Sequence, residues 1–255
     1  ATLCGAMAVA AAASYGALGE ATVPHDLAAA VVYEPLLPDL AREKLAYTHL
    51  LMSAYEQHSG HLPEAREELD KAIGSLESPA MYARSGELAL SMQDPARAEK
   101  DSKKALELDP KHADAHLTLG KREYTRGRSN RSNRQLRKAA SHFRDAIEAD
   151  PKHINAYYYL GNLSREIRDF RGAIEAYGAL VSLRPLDPSN RLRLGQAYQL
   201  NGEVARAIEE YERATQIDAN YVQARQSLAN LHEQLGAREK AAHEYEVLVK
   251  ERATP

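Results

Sequence analysis

Leu160-Gly161, Leu194-Gly195 and Leu228-Ala229 follow one another at intervals of 34 residues. A fixed period of this length commits a chain to stacked copies of one small unit, because such a unit cannot bury its own apolar face. The far end of the unit repeats as well, in KKALELDP at Lys103–Pro110, RDAIEADP at Arg144–Pro151 and YERATQIDA at Tyr211–Ala219. The register runs 46–78, 79–112, 113–153, 154–187, 188–221 and 222–255, six units over 210 of the 255 residues.

Each unit reads as two helices joined by a short turn. Ala, Leu, Glu, Arg and Lys dominate, and these are helix formers, whereas Val and Ile are too sparse for an extended sheet. A small residue recurs early in the second helix, at Ala65, Ala98, Ala139, Ala173, Ala207 and Ala241. One turn later stand Leu69, Ser102, Phe143, Tyr177, Tyr211 and Tyr245, bulky in all units but the second. Ala lets two helices approach closely, and the large side chain fills the space above it. Pro110, Pro151 and Pro185 then halt the second helix, since proline cannot continue its hydrogen-bond ladder.

These residues resemble the tetratricopeptide repeat (TPR) family, whose 34-residue pattern places Leu-Gly, Tyr, Ala, an aromatic and Pro in this order. The pattern's Trp place holds His49, Tyr82, His116, Tyr157, Arg191 and Arg225, and the first unit has Met52-Ser53 for Leu-Gly. The resemblance implies an all-α, right-handed superhelical solenoid of about six helix-turn-helix repeats, with a concave face that grips peptides.

The third unit departs from the period. Leu119-Gly120 and Ala139 stand seven residues further apart than the pattern allows, so Ser129–Leu136, with its polar sequence SNRSNRQL, is expected to be a mobile loop insertion. Its Arg128, Arg131 and Arg134 would then be the first sites of tryptic cleavage. Lys121 to Lys138 holds eight basic residues and one acidic one, and residues 111–153 carry a net +6 in a chain whose total is −3. Charge is segregated.

The ends differ from the repeats. Residues 1–19 contain no charge and fourteen apolar residues, chiefly Ala. They read either as the remnant of an export signal or anchor, or as a helix packed on the first repeat. Export would place the protein outside the cytoplasm or on a membrane; otherwise it is cytoplasmic. Residues 1–45 thus form a separate N-terminal segment, with one short helix expected over Asp26–Glu34. At the other end Tyr245, Val247, Leu248 and Val249 would be left uncovered by a next repeat. Either the chain continues past Pro255, or this end packs on another copy or a partner.

Little here carries catalysis. No nucleophile elbow, phosphate loop or HExxH motif is present, and a single Cys allows neither an intramolecular disulfide nor a Cys-based zinc site. Gly60 separates His58 from His61, which spoils a shared helical face for a metal. His49, His116 and His232 read as core or groove lining. No enzyme activity, cofactor or metal is expected. A mean hydropathy of −0.53 makes this sequence too polar for a polytopic membrane protein.

Recognition is the alternative. In the family pattern the second, fifth, sixth, ninth and twelfth places of each unit face the groove. The resemblance therefore assigns Asp114, Leu117, Thr118, Lys121 and Tyr124 to it from the third unit, and Asn155, Tyr158, Tyr159, Asn162 and Arg165 from the fourth. The fifth adds Ser189, Leu192, Arg193, Gln196 and Gln199, and the sixth Gln223, Gln226, Ser227, Asn230 and Glu233. Amides such as Asn162 and Asn230 can hold a peptide backbone, Lys121, Arg165 and Arg193 favour a carboxylate, and Tyr158 and Tyr159 add rigid contact area. The chaperone-type carboxylate clamp is not reproduced, because Arg193 replaces its second Asn and Gln223 and Ser227 its final cations. The expected function is a non-catalytic scaffold for an extended, acidic or carboxylate-bearing peptide. The alternatives are nucleic-acid or anionic-surface binding through residues 121–138, which lack interleaved aromatics beyond Tyr124, and service as the interaction arm of a larger enzyme.

Overall fold

The computed structural model describes residues 38–253. The expectations for residues 1–19 and Asp26–Glu34 lie outside the described residues. The chain divides into two units, residues 1–41 and 42–255, and the helical array belongs to the second. Twelve helices and no strand occur among the described residues. They are α1 (Pro38–His58), α2 (Leu62–Ser75), α3 (Pro79–Ser91), α4 (Pro95–Leu108), α5 (Ala113–Ser129) and α6 (Asn133–Ala149), followed by α7 (Ile154–Glu166), α8 (Phe170–Leu183), α9 (Pro188–Leu200), α10 (Val204–Ile217), α11 (Val222–Gln234) and α12 (Arg238–Ala253). Consecutive helices pack as pairs, and each pair packs on the next, which makes an all-helical solenoid. The first helix begins at Pro38, ahead of the unit start expected at residue 46.

The small and large residues of the register meet inside the pairs. A Cβ added to Gly161 would lie 2.5 Å from the ring of Tyr177, and one on Gly195 would lie 2.6 Å from that of Tyr211. Each glycine is small because an aromatic side chain of the second helix occupies its place. Ala173, Ala207, Tyr177 and Tyr211 are all fully buried. In the first pair the buried hydroxyl of Ser53 donates to the carbonyl oxygen of Ala65 at 2.7 Å. The second pair is small on both sides: Gly86 meets Ser102, whose buried hydroxyl has no hydrogen-bond partner among the described residues.

All six turns within pairs share one geometry. The second residue beyond the first helix takes a positive φ, at Gly60, Gln93, Arg131, Arg168, Gly202 and Gly236. The next amide donates to the carbonyl five residues back, for example Ser132 to Gly127 and Glu203 to Tyr198, at 2.8 and 2.9 Å. This is the Schellman arrangement, which satisfies carbonyls left over at the helix end.

The third pair corrects the expectation of a loop at Ser129–Leu136. Only Asn130–Ser132 lie between α5 and α6, and the extra residues continue both helices, which reach 17 residues each against 13 and 14 in the fifth pair. The Ser132 side chain accepts from the amide of Gln135 and caps α6. Leu136 and Gly127 are buried, and a Cβ on Gly127 would come within 2.7 Å of Leu136. Each stands seven residues from its counterpart in the Gly120–Phe143 contact, so the added turn repeats that contact one layer outward. Polar composition misled because the one apolar residue in this stretch is the one facing inward.

In α12, Tyr245 and Val249 are exposed, while Val247 and Leu248 are half-buried.

Candidate binding groove

The first helices of successive pairs, α5, α7, α9 and α11, carry the residues assigned to the groove. Several interact across helix boundaries. The Nζ of Lys121 lies 5.6 Å from the ring centre of Tyr159, which packs edge-on against Tyr158 at 5.4 Å. The guanidinium of Arg193 lies 5.0 Å from the ring of Tyr158. Lys121, Tyr159, Tyr158 and Arg193 thus form an unbroken cation–aromatic ladder over α5, α7 and α9. The ladder is anchored below by Phe143, stacked on Tyr159 at 5.6 Å. At its α5 end lies a cavity of about 780 Å³ whose walls include Leu90, Lys121, Tyr124, Arg126 and Tyr159.

Charge around the ladder is unevenly compensated. Lys121 has Glu87 at 3.6 Å, and Glu166 accepts from Tyr124 at 2.6 Å while facing Arg128 at 3.3 Å. Arg122 is tied to Glu99 and Glu123. In contrast Arg165 donates to the amide oxygen of Gln196 at 3.3 Å and Arg193 to the hydroxyl of Ser189 at 2.9 Å. Both partners are neutral, and neither Arg forms an ion pair among the described residues. Burial, with help from Glu166, pushes the Tyr124 phenol up to about 12, so it remains a hydrogen-bond donor at neutral pH.

The amides serve the fold as well as the surface. Tyr177 donates to Asn162 at 2.8 Å, Tyr211 to Gln199 at 2.8 Å and Tyr245 to Asn230 at 3.0 Å. In the fourth and fifth pairs the tyrosine of the second helix reaches through the core to an amide on the first, and in the sixth the exposed Tyr245 makes the same bond at the surface. Burial pushes the phenols of Tyr177 and Tyr211 up to about 12, so they too stay donors. The carbonyl oxygens of Asn162 and Asn230 are therefore engaged, and the amide nitrogens are what they can offer outward. Asn155 is exposed on the first turn of α7.

Three assignments are overturned. Leu117, Thr118 and Leu192 are buried, because their places fall where one pair packs on its neighbour. Sequence reasoning also missed Glu87, Leu90 and Glu166. The first two occupy the ninth and twelfth places of the second unit, so the same register would have found them. Among the described residues a metal-ligand grouping occurs only at His116, His142 and Asp145, none of which lines the cavity beside Lys121.

Tetratricopeptide repeat models match residues 124–167, 165–222 and 79–112. No curated protein matches the sequence significantly. Among solved structures, MamA is 26% identical over 66% of this chain and 94% of its own, with a TM-score of 0.57. PilF of Pseudomonas aeruginosa is 18% identical, with a TM-score of 0.66 over 84% of this chain and 95% of its own. YrrB, described as a TPR protein with an unusual peptide-binding site, is 22% identical over 71% of this chain and 91% of its own, with a TM-score of 0.60. The repeated small-to-bulky contacts, the shared turn geometry and these matches together place the chain in the tetratricopeptide repeat family.

Proposed function

We propose that this protein is a non-catalytic scaffold whose groove holds an extended peptide segment bearing a carboxylate. The observation that carries this reading is the pair Arg165 and Arg193, whose charges have only neutral partners, with Arg193 lying over the half-buried Tyr158. A guanidinium without an ion pair gains most from an incoming carboxylate, which it can bind through two parallel hydrogen bonds. The tyrosines would supply flat contact area at small entropic cost. The peptide-binding description of YrrB lends the reading support by likeness of fold.

The test is a titration with fluorescent extended peptides, acidic or basic, each with a free or an amidated C-terminus. The acidic, free-carboxylate peptide should bind best and weaken as salt rises. Arg165→Ala with Arg193→Ala should remove most of that binding while the helical circular dichroism stays unchanged. A double variant that binds as well as the parent would place the site elsewhere.

A further inference from the structure

The third pair holds a second cluster of side chains, between α5 and α6, that the groove does not use. His116 and His142 bring their Nδ1 atoms to 3.5 Å, and Asp145 Oδ2 lies 3.8 Å from the first and 3.9 Å from the second. His142 and Asp145 are three apart on α6, which puts both on one face toward α5. These separations exceed ordinary hydrogen bonds of about 2.7–3.2 Å. They come closer to another geometry: ligands about 2.0–2.1 Å from a tetrahedral ion stand about 3.3–3.4 Å apart. Small side-chain rotations would close the difference.

The surroundings prepare the histidines as ligands. Nε2 of His116 lies 3.1 Å from the carbonyl oxygen of Pro110, which can only accept. That nitrogen must carry the proton, so Nδ1 presents its lone pair to the cluster. A backbone carbonyl behind the imidazole is the usual outer partner of a metal-bound histidine. The side chains are 15%, 28% and 43% exposed for His116, His142 and Asp145, which leaves an entry path and room for water as a fourth ligand.

We propose that His116, His142 and Asp145 bind a divalent transition-metal ion of the Zn²⁺ class, clamping α5 to α6. Two imidazoles and one carboxylate suit such an ion better than Ca²⁺ or Mg²⁺, which prefer all-oxygen shells.

The experiment titrates the metal-free full chain with Co²⁺ and Zn²⁺, followed by visible absorption and calorimetry. The parent should take up a single equivalent of either metal, with the strong visible bands of four-coordinate Co²⁺. His142→Gln and Asp145→Asn should each weaken binding by about tenfold to a hundredfold or more, an expectation scaled from the effect of outer-shell losses. His61→Gln, which removes a histidine paired with Glu56 elsewhere, should leave binding intact. Asp145→Asn, at a partly exposed site, keeps the test valid should the histidine variant fold poorly. Absence of the Co²⁺ bands, parent-like affinity in the Asp145 variant, or equal loss in His61→Gln would overturn the site.

Discussion

The third and fifth helix pairs meet the same packing demand at different lengths. In the fifth, Gly195 receives Tyr211, and the helices meet the turn five residues after the glycine and seven before the tyrosine, at Leu200 and Val204. In the third, Gly120 receives Phe143, and the helices run on to a further contact, Gly127 with Leu136. The Schellman turn is the same at the tip of each pair. A longer hairpin therefore needs one more small-to-large contact inside it and tolerates polar side chains everywhere else. The arginines and asparagines of 129–134 ride on that single buried leucine.

The comparison can be broken most severely at the aromatic contact. Tyr211→Ala removes a fully buried ring and its bond to Gln199, and should cost about 3–5 kcal/mol in denaturant unfolding. Leu136→Ala should cost about 2 kcal/mol, the low end for a buried leucine because the tip can partly collapse. It should also make Arg131 and Arg134 the first tryptic sites, whereas the parent should resist cleavage there. An unchanged stability would mean that the extra turn is not packed.

The turns sharpen the comparison at a smaller scale. Gly202 has φ +83°, so Gly202→Ala should cost about 1 kcal/mol, since a Cβ is disfavoured in that conformation. Arg131 occupies the same place with φ +50°, and Arg131→Gly should change stability by only a few tenths of a kcal/mol, because relief of strain offsets added unfolded-state freedom. Equal and opposite large effects would show that the two turns differ.

The smallest effect concerns the link between the third and fourth pairs, where Nε2 of His153 faces Asp114 at 3.0 Å. Asp114 raises the His153 pKa, and His153 lowers that of Asp114. The histidine's contribution is complete below its unfolded value and fades as pH rises through the raised folded value. The carboxylate's is complete above its unfolded value and fades as pH falls through the lowered folded one. Asp114→Asn should therefore cost most between about pH 4 and 6.5, the ordinary values of the two groups, and least above that window. A pH-independent difference would remove the ion pair from the account.

Much of this architecture was legible in the chain. Ala173, Tyr177 and Gly161 announce their contact because all three recur at one spacing, and spacing alone decides which faces meet. The added layer was hidden because Gly127 and Leu136 occur once, among residues whose polarity points to a loop. Leu117, Thr118 and Leu192 misled for a different reason: the family's groove places presume an open surface, and these lie at junctions between pairs. His116 and His142 could not be joined from sequence, since the longer helices decide how the 25 intervening residues are traversed.

The lengthened hairpin has an angular consequence. Each residue turns an α-helix by about 100°, so four residues rotate it through about 400° and three through about 300°. Each comes within about 60° of one full revolution of its own helix, so the connecting turn joins the two on nearly the same faces as before. Four residues on α5 and three on α6 are the increments by which these helices exceed the 13 and 14 of the fifth pair. Tolerated length at such turns is thus quantised near one turn per helix: about two residues added to either would swing its tip through about 200°, with its leucine in water.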